Sequence, residues 1–128
     1  MSASGIETEK QAVRKAILDY YHEGHVRSDP ALYCEILHPD WKFFLLDGEG
    51  TLVILDRGQY LAKYDPKDAD PNLHWETEFL EIDITGNIGS VRLRLECEKV
   101  KYIDYFHVMK IGGKWWIVHK MSDYRDKG

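Results

Sequence analysis

Apolar and polar positions alternate most clearly in the last third of the chain. Over residues 88–100, Val91, Leu93, Leu95 and Cys97 alternate with Arg92, Arg94, Glu96 and Glu98. A period of two predicts a strand with one buried and one wet face. Residues 74–85 read as its neighbour across Gly86-Asn87. Residues 101–111 and 114–124 read as two further strands joined by Gly112-Gly113, a pair suited to a two-residue hairpin turn. Unbroken alternation from that turn sets Val108 opposite Ile117, Phe106 opposite His119 and Asp104 opposite Met121. Asp104, Phe106, Val108, Trp115, Ile117, His119 and Met121 then share one face. The other face carries Tyr105, His107, Met109, Ile111, Trp116, Val118 and Lys120. Both faces are strongly apolar, so one should meet the helices and the other a second cover, for which another copy of the chain is the simplest candidate.

Earlier in the chain the period is helical. Val13, Ile17, Tyr21 and Gly24 recur at helical spacing within residues 6–26, with Lys10, Arg14, Asp19 and Glu23 mostly off that stripe. Asp29 before Pro30 is an N-cap signal for a short helix to residue 37, stopped at His38-Pro39-Asp40. Residues 41–46 and 51–55 read as a hairpin around Asp47-Gly48-Glu49-Gly50, and residues 56–64 as a third helix with Tyr60, Leu61 and Tyr64 on one side. Residues 65–72, rich in aspartate with Pro66 and Pro71, are a surface loop. Helices, a hairpin, a helix and four long strands make an α+β fold, an antiparallel sheet with helices on one side.

At 128 residues the chain is one domain, with residues 1–5 expected as a flexible tail. A net charge of −5 with no basic stripe argues against nucleic acid. No window approaches a membrane span, and the first residues lack the apolar run of a signal peptide, so a cytoplasmic location is expected. Cys34 and Cys97 stand outside any metal or redox spacing and read as buried thiols.

Asp104 and His119, an acid and an imidazole on one apolar face, point to a ligand pocket. His119 is a candidate base, although a hydrogen-bonded structural histidine is the favoured reading. Tyr21, on the inward stripe of the first helix, needs a partner for its hydroxyl. His25, four residues on, projects from a similar face and is a candidate for the pocket mouth. His38, in its His-Pro-Asp corner, is a candidate ligand contact or a turn residue. Trp41, Tyr60, Tyr64, Trp75 and Phe106 are candidates for aromatic walls, which suit flat organic ligands and an ordinary core alike. No metal spacing, phosphate loop, nucleophile elbow or dinucleotide fingerprint is present, and no metal or cofactor is expected.

The segments YHEGHVRSD (21–29), LHPD (37–40), DGEGTLVILDRGQY (47–60) and DYFHVMKIGGKWWIVHK (104–120) together resemble the nuclear-transport-factor-two-like superfamily. Within it the closest likeness is to the family called putative lumazine-binding. The resemblance implies a cone in which a curved antiparallel sheet wraps about three helices. Two positions also resemble the ketosteroid isomerases: Tyr21, eight residues before Asp29, and Asp104, eight before Gly112. In those enzymes the corresponding tyrosine and protonated aspartic acid bind a developing oxyanion. Leu45 stands where their general-base aspartate belongs, with Asp47 nearby in a turn. The expectation is a homodimer, paired through the face of His107, Met109 and Trp116, that binds a small organic molecule. Tyr21, Asp104 and His119 would carry any cofactor-independent lyase or isomerase chemistry, and a non-catalytic binding protein or an assembly module is the alternative.

Overall fold

The structure, a computed structural model, describes residues 3–128. The chain opens with α1 (Ala3–Ala16), which runs through one π-helical turn (Ile17–His22) into α2 (Glu23–Arg27). The expected stripe lies inward: Val13, Ile17, Tyr21 and Gly24 are all buried. Residues 3–5 begin α1 instead of forming a tail, and residues 1 and 2 of that expectation lie outside the described residues. Ser28, in the left-handed region at φ 49°, ends α2. Asp29 then caps α3 (Pro30–Cys34), its side chain accepting the Ala31 N–H at 2.9 Å. This helix stops three residues short of expectation because the next residues are drawn into the sheet. The Ile36 carbonyl accepts the Ile117 N–H at 2.8 Å, and β1 (Leu37–Leu46) starts at once. His38-Pro39-Asp40 therefore lies in an irregular strand entry, where a missing N–H is tolerated.

β2 (Leu52–Asp56) returns antiparallel to β1 and passes into α4 (Arg57–Leu61) through a capping box between Asp56 and Gln59. A 3₁₀ turn (Pro66–Asp68) lies in the following loop. β3 (Glu76–Thr85), β4 (Ile88–Glu96), β5 (Val100–Ile111) and β6 (Lys114–Asp126) complete one six-stranded sheet in the order β2-β1-β6-β5-β4-β3. Every pairing is antiparallel except β1 with β6, which is parallel. The closing turn has Gly112 at φ 61° and Gly113 at φ 79°, the paired positive angles that only glycine adopts freely. Three register breaks, at Leu37/Lys42, Phe79/Glu81 and His107/Val108, bend a sheet that does not close.

The helices cover one face. Trp41, Phe43, Val91, Leu93, Leu95, Phe106, Val108, Trp115 and Ile117 meet Val13, Ile17, Tyr21, Tyr33 and Tyr60 in a single core. Each such side chain contributes roughly 1.5–3 kcal/mol of transfer free energy. Glu9 ties α1 to the far end of the closing hairpin. Its carboxylate accepts the Lys110 ammonium at 2.8 Å and the Trp115 Nε1–H at 2.6 Å, and those bonds hold its pKa below the usual glutamate value. Among the described residues no helix is long and apolar enough to cross a membrane.

Gly24 shows how tightly the helices seat. A Cβ there would lie 2.9 Å from the Tyr33 ring, itself fully buried. Gly24→Ala should therefore destabilise the fold by about 1–3 kcal/mol despite alanine's higher helix propensity. A urea titration showing no loss would mean that Tyr33 moves aside freely.

Candidate functional site

The last hairpin carries one extra residue. Ile111 pairs with Lys114 and Val108 with Ile117, as unbroken alternation requires, but His107 then pairs with His119. Val118 is unpaired, a β-bulge that shifts everything after it by one position. Phe106 thus faces Lys120, and Asp104 faces Ser122. The expected place of His119 beside Asp104 is corrected by this register. His119 lies on the opposite face, stacked on His107 at 5.3 Å and edge-on to Phe44 at 5.0 Å. Lys120 takes the inward position and is 3% exposed.

Lys120 lies at the inner end of a cavity of about 600 Å³. Phe43 and Leu45 come from β1, Tyr102 from β5, and Lys120, Ser122 and Tyr124 from β6. His25 enters from α2, Tyr60 from α4, and Tyr64 from just beyond it. Leu46, Asp47, Gly48, Lys63 and Asp123 complete the lining from more exposed positions. The Lys120 ammonium sits 4.3, 4.8 and 5.2 Å from the ring centres of Phe43, Tyr60 and Tyr21. It donates to the Tyr60 hydroxyl at 3.3 Å, and Tyr64 donates to the same oxygen at 2.9 Å. Among the described residues no carboxylate lies within ion-pairing distance of it. Burial lowers its pKa, opposed by the more distant charge of Asp104.

Tyr21 and Asp104 do meet. The Tyr21 hydroxyl donates to Asp104 Oδ2 at 2.9 Å, and Ser122 donates to Oδ1 at 2.6 Å. Both residues are nearly inaccessible, and neither lines the cavity. Asp104 reaches it only through the Ser122 hydroxyl. The carboxylate is an acceptor of two hydroxyl protons, not a donor pointed at a ligand. Burial holds Tyr21, Tyr33 and Tyr60 well above the ordinary tyrosine pKa, so their phenols stay protonated. His25 Nδ1 is 2.5 Å from the Tyr33 hydroxyl and 3.3 Å from the Tyr21 carbonyl. Desolvation first, and then the positive Lys120, push His25 down to about 3.

The other expected site residues divide four ways. His25, Tyr60 and Tyr64 line the cavity. Phe106, edge-on to Tyr21 at 4.9 Å, and Trp41, 5.0 Å from Tyr60, are core behind the walls, while Trp75 stacks on the outside of Tyr102 at 6.4 Å. His38 does not join them: it packs against Trp116 at 5.4 Å, and the Asp40 N–H bonds to its Nδ1 at 3.0 Å. The residues that alternation alone missed are Lys120, Ser122 and Tyr124. One signal was present. With Asp104 on an inward face, a hydroxyl opposite it satisfies the acid better than Met121 does, which argues for the shifted register. No group of three His, Cys, Asp or Glu among the described residues is placed to hold a metal.

The profile of the family described as putative lumazine-binding matches residues 8–123. Among solved structures, an NTF2-like protein of unknown function from Silicibacter pomeroyi is 20% identical, with a TM-score of 0.79 over 98% of this chain and 100% of that one. A second NTF2-like protein of unknown function, from Shewanella baltica, is also 20% identical, with a TM-score of 0.78 over 98% of each chain. A putative scytalone dehydratase from Novosphingobium aromaticivorans is 14% identical, with a TM-score of 0.73 over 97% of this chain and 89% of that one. At such identities the likeness is one of fold. No curated protein matches the sequence.

The neutral, desolvated His25 makes the fold sensitive to acid. The unfolded chain takes up this proton near the ordinary value of 6.5, whereas the folded chain resists until about pH 3. The contribution of His25 is fully present above pH 6.5 and is lost as pH falls through that window, at no more than about 1.4 kcal/mol per pH unit. Urea midpoints between pH 7 and pH 4 should fall less steeply for His25→Gln than for the unaltered protein. Parallel slopes would show that the His25 ring is solvated.

Proposed function

Because this chain belongs to the putative lumazine-binding family of the nuclear-transport-factor-two-like superfamily, we propose that it binds a small, flat organic molecule in the cavity above Lys120. The observation that carries this reading is the distribution of polarity. Phe43, Leu45, Tyr60, Tyr64 and Tyr102 supply apolar and aromatic walls, while the Lys120 ammonium and the Ser122 hydroxyl converge at the inner end. A pocket of mostly apolar lining with a few fixed polar groups orients a ring compound by its polar edge. Tyr21 and Asp104 act one step back. By holding Ser122 they fix the direction of a hydroxyl that the ligand meets. His25 lends a neutral imidazole edge to the wall.

A second reading, a cofactor-independent lyase or isomerase, is favoured by one observation. Lys120 supplies an amine in the same interior as Leu45, the residue that stands where the ketosteroid isomerases place their base. The amine sits against the Tyr60 hydroxyl, which would steady developing negative charge. In that reading Lys120 takes the role expected of His119.

The family's description makes lumazine the first probe. Fluorescence titration with lumazine, and native mass spectrometry against a metabolite extract, should each be run on the unaltered protein and on Leu45→Trp. A ligand held by the first and weakened at least about tenfold in the second, roughly 1.4 kcal/mol, is the expected result. Absence of any retained ligand counts against the reading.

The outer face of the sheet is proposed to pair two copies of the chain. Tyr105, Met109, Ile111 and Met121 are each 40–47% exposed there, beside the His107–His119 stack, Trp116 and a depression of about 390 Å³ lined by Ile88, Met109 and Val118. Among the described residues nothing covers this apolar surface. Light scattering at micromolar concentration should give twice the chain mass, and Met109→Glu should halve it. A monomer before substitution would refute the pairing.

A further inference from the structure

We propose that Lys120 is a nucleophile that condenses with small aldehydes or ketones entering the cavity, holding them as imines. The proposal rests on the cavity being a ligand site and adds what its amine does there.

Three features of the setting distinguish this amine from a structural lysine. It lines a cavity large enough for a ring compound, so a carbonyl carbon can approach it. It has no carboxylate partner at ion-pair distance among the described residues, so nothing holds it as one half of a salt bridge. Among the described residues its one hydrogen bond runs to Tyr60, whose oxygen also accepts from Tyr64, so a pair of protonated phenols adjoins the nitrogen. Loss of hydration favours the uncharged amine and outweighs the pull of the ring faces and of Asp104 on the cation, in agreement with its lowered pKa.

The step balances without an oxidant or reductant. The nitrogen lone pair forms the C–N bond while the carbonyl π electrons move to oxygen, and a proton passes from nitrogen to that oxygen to give a carbinolamine. The C–O bond then breaks, the hydroxyl leaves as water with a proton relayed through Tyr60, and the nitrogen gives up its second proton to the same relay. The net change is carbonyl plus amine to imine plus water.

The test is reductive trapping. The full chain is incubated with benzaldehyde and cyanoborohydride across pH 6–9, and the benzylated lysines are located by peptide mass mapping. Lys120 should be modified at least about tenfold faster than Lys63, an exposed lysine at the same cavity, with its rate midpoint at lower pH. Leu45→Trp should slow Lys120 and leave Lys63 unchanged. Labelling of Lys120 no faster than surface lysines overturns the proposal, and so does labelling of Lys120 that Leu45→Trp leaves untouched. The unaltered protein supplies the primary result, so no variant need fold for the idea to fail. Lumazine bound reversibly with Lys120 unlabelled would refute imine formation while leaving the binding site intact. Failure of both binding and labelling would remove the two together.

Discussion

Val118 has no partner across the closing hairpin, and that one insertion decides which side chains the cavity receives. Before it, Trp115 and Ile117 face inward and build the core under α1. Without it, His119, Met121 and Asp123 would continue the inward row, leaving Lys120, Ser122 and Tyr124 outside. With it, the second row turns inward and brings an amine, a hydroxyl and a phenol to one space. A bulge costs a rung of the ladder and adds local twist. Here the twist also falls on the strand that joins the parallel β1 to the rest of the sheet, so the bend and the chemistry have one origin.

The interior that results holds an acid and an amine without joining them. Asp104 is satisfied by Tyr21 and Ser122, and Lys120 by Tyr60 and by three aromatic rings. Ring faces stabilise a nearby cation by about 0.5–2 kcal/mol, less than the several kcal/mol that burial of an unpaired ammonium costs. Burial therefore lowers the pKa of Lys120 despite the rings and Asp104. A direct Asp104–Lys120 bridge would have locked the charge and removed the amine from chemistry. The tyrosine hydroxyls do the opposite, because burial keeps them protonated and able to donate.

The same sheet separates two tasks. The inner face holds the core and the cavity, while the outer face presents Tyr105, Met109, Met121 and the His107–His119 stack. His119 is thus an outer-face residue, and its ring, moderately desolvated and close to His107, has a pKa below the ordinary histidine value. Structures similar to it at 14–20% identity share the fold.

Much of the architecture was legible in the chain. The stripe Val13, Ile17, Tyr21 and Gly24, the cap at Asp29, the alternation of Val91, Leu93 and Leu95, and the Gly112-Gly113 turn are local signals. Each reflects the constraint of a single element, and the structure follows each of them. Asp104 on an inward face was legible for the same reason, since it precedes the shift. What lies beyond Val118 was not legible in the alternation, and only the need of Asp104 for a hydroxyl partner hinted at it, because a strand's register is set by cross-strand pairing and by how the sheet must bend over its helices. Neither leaves a mark on the periodicity of one strand. Ile36 and Leu37 show the same limit, since they leave a helix because β6 is there to pair with them. The sequence by itself determined which residues could form helices, strands and turns, through backbone propensity and burial at short range. Tertiary structure alone decided that Lys120 and not His119 meets Tyr60, because a side chain's direction beyond a bulge depends on partners distant along the chain.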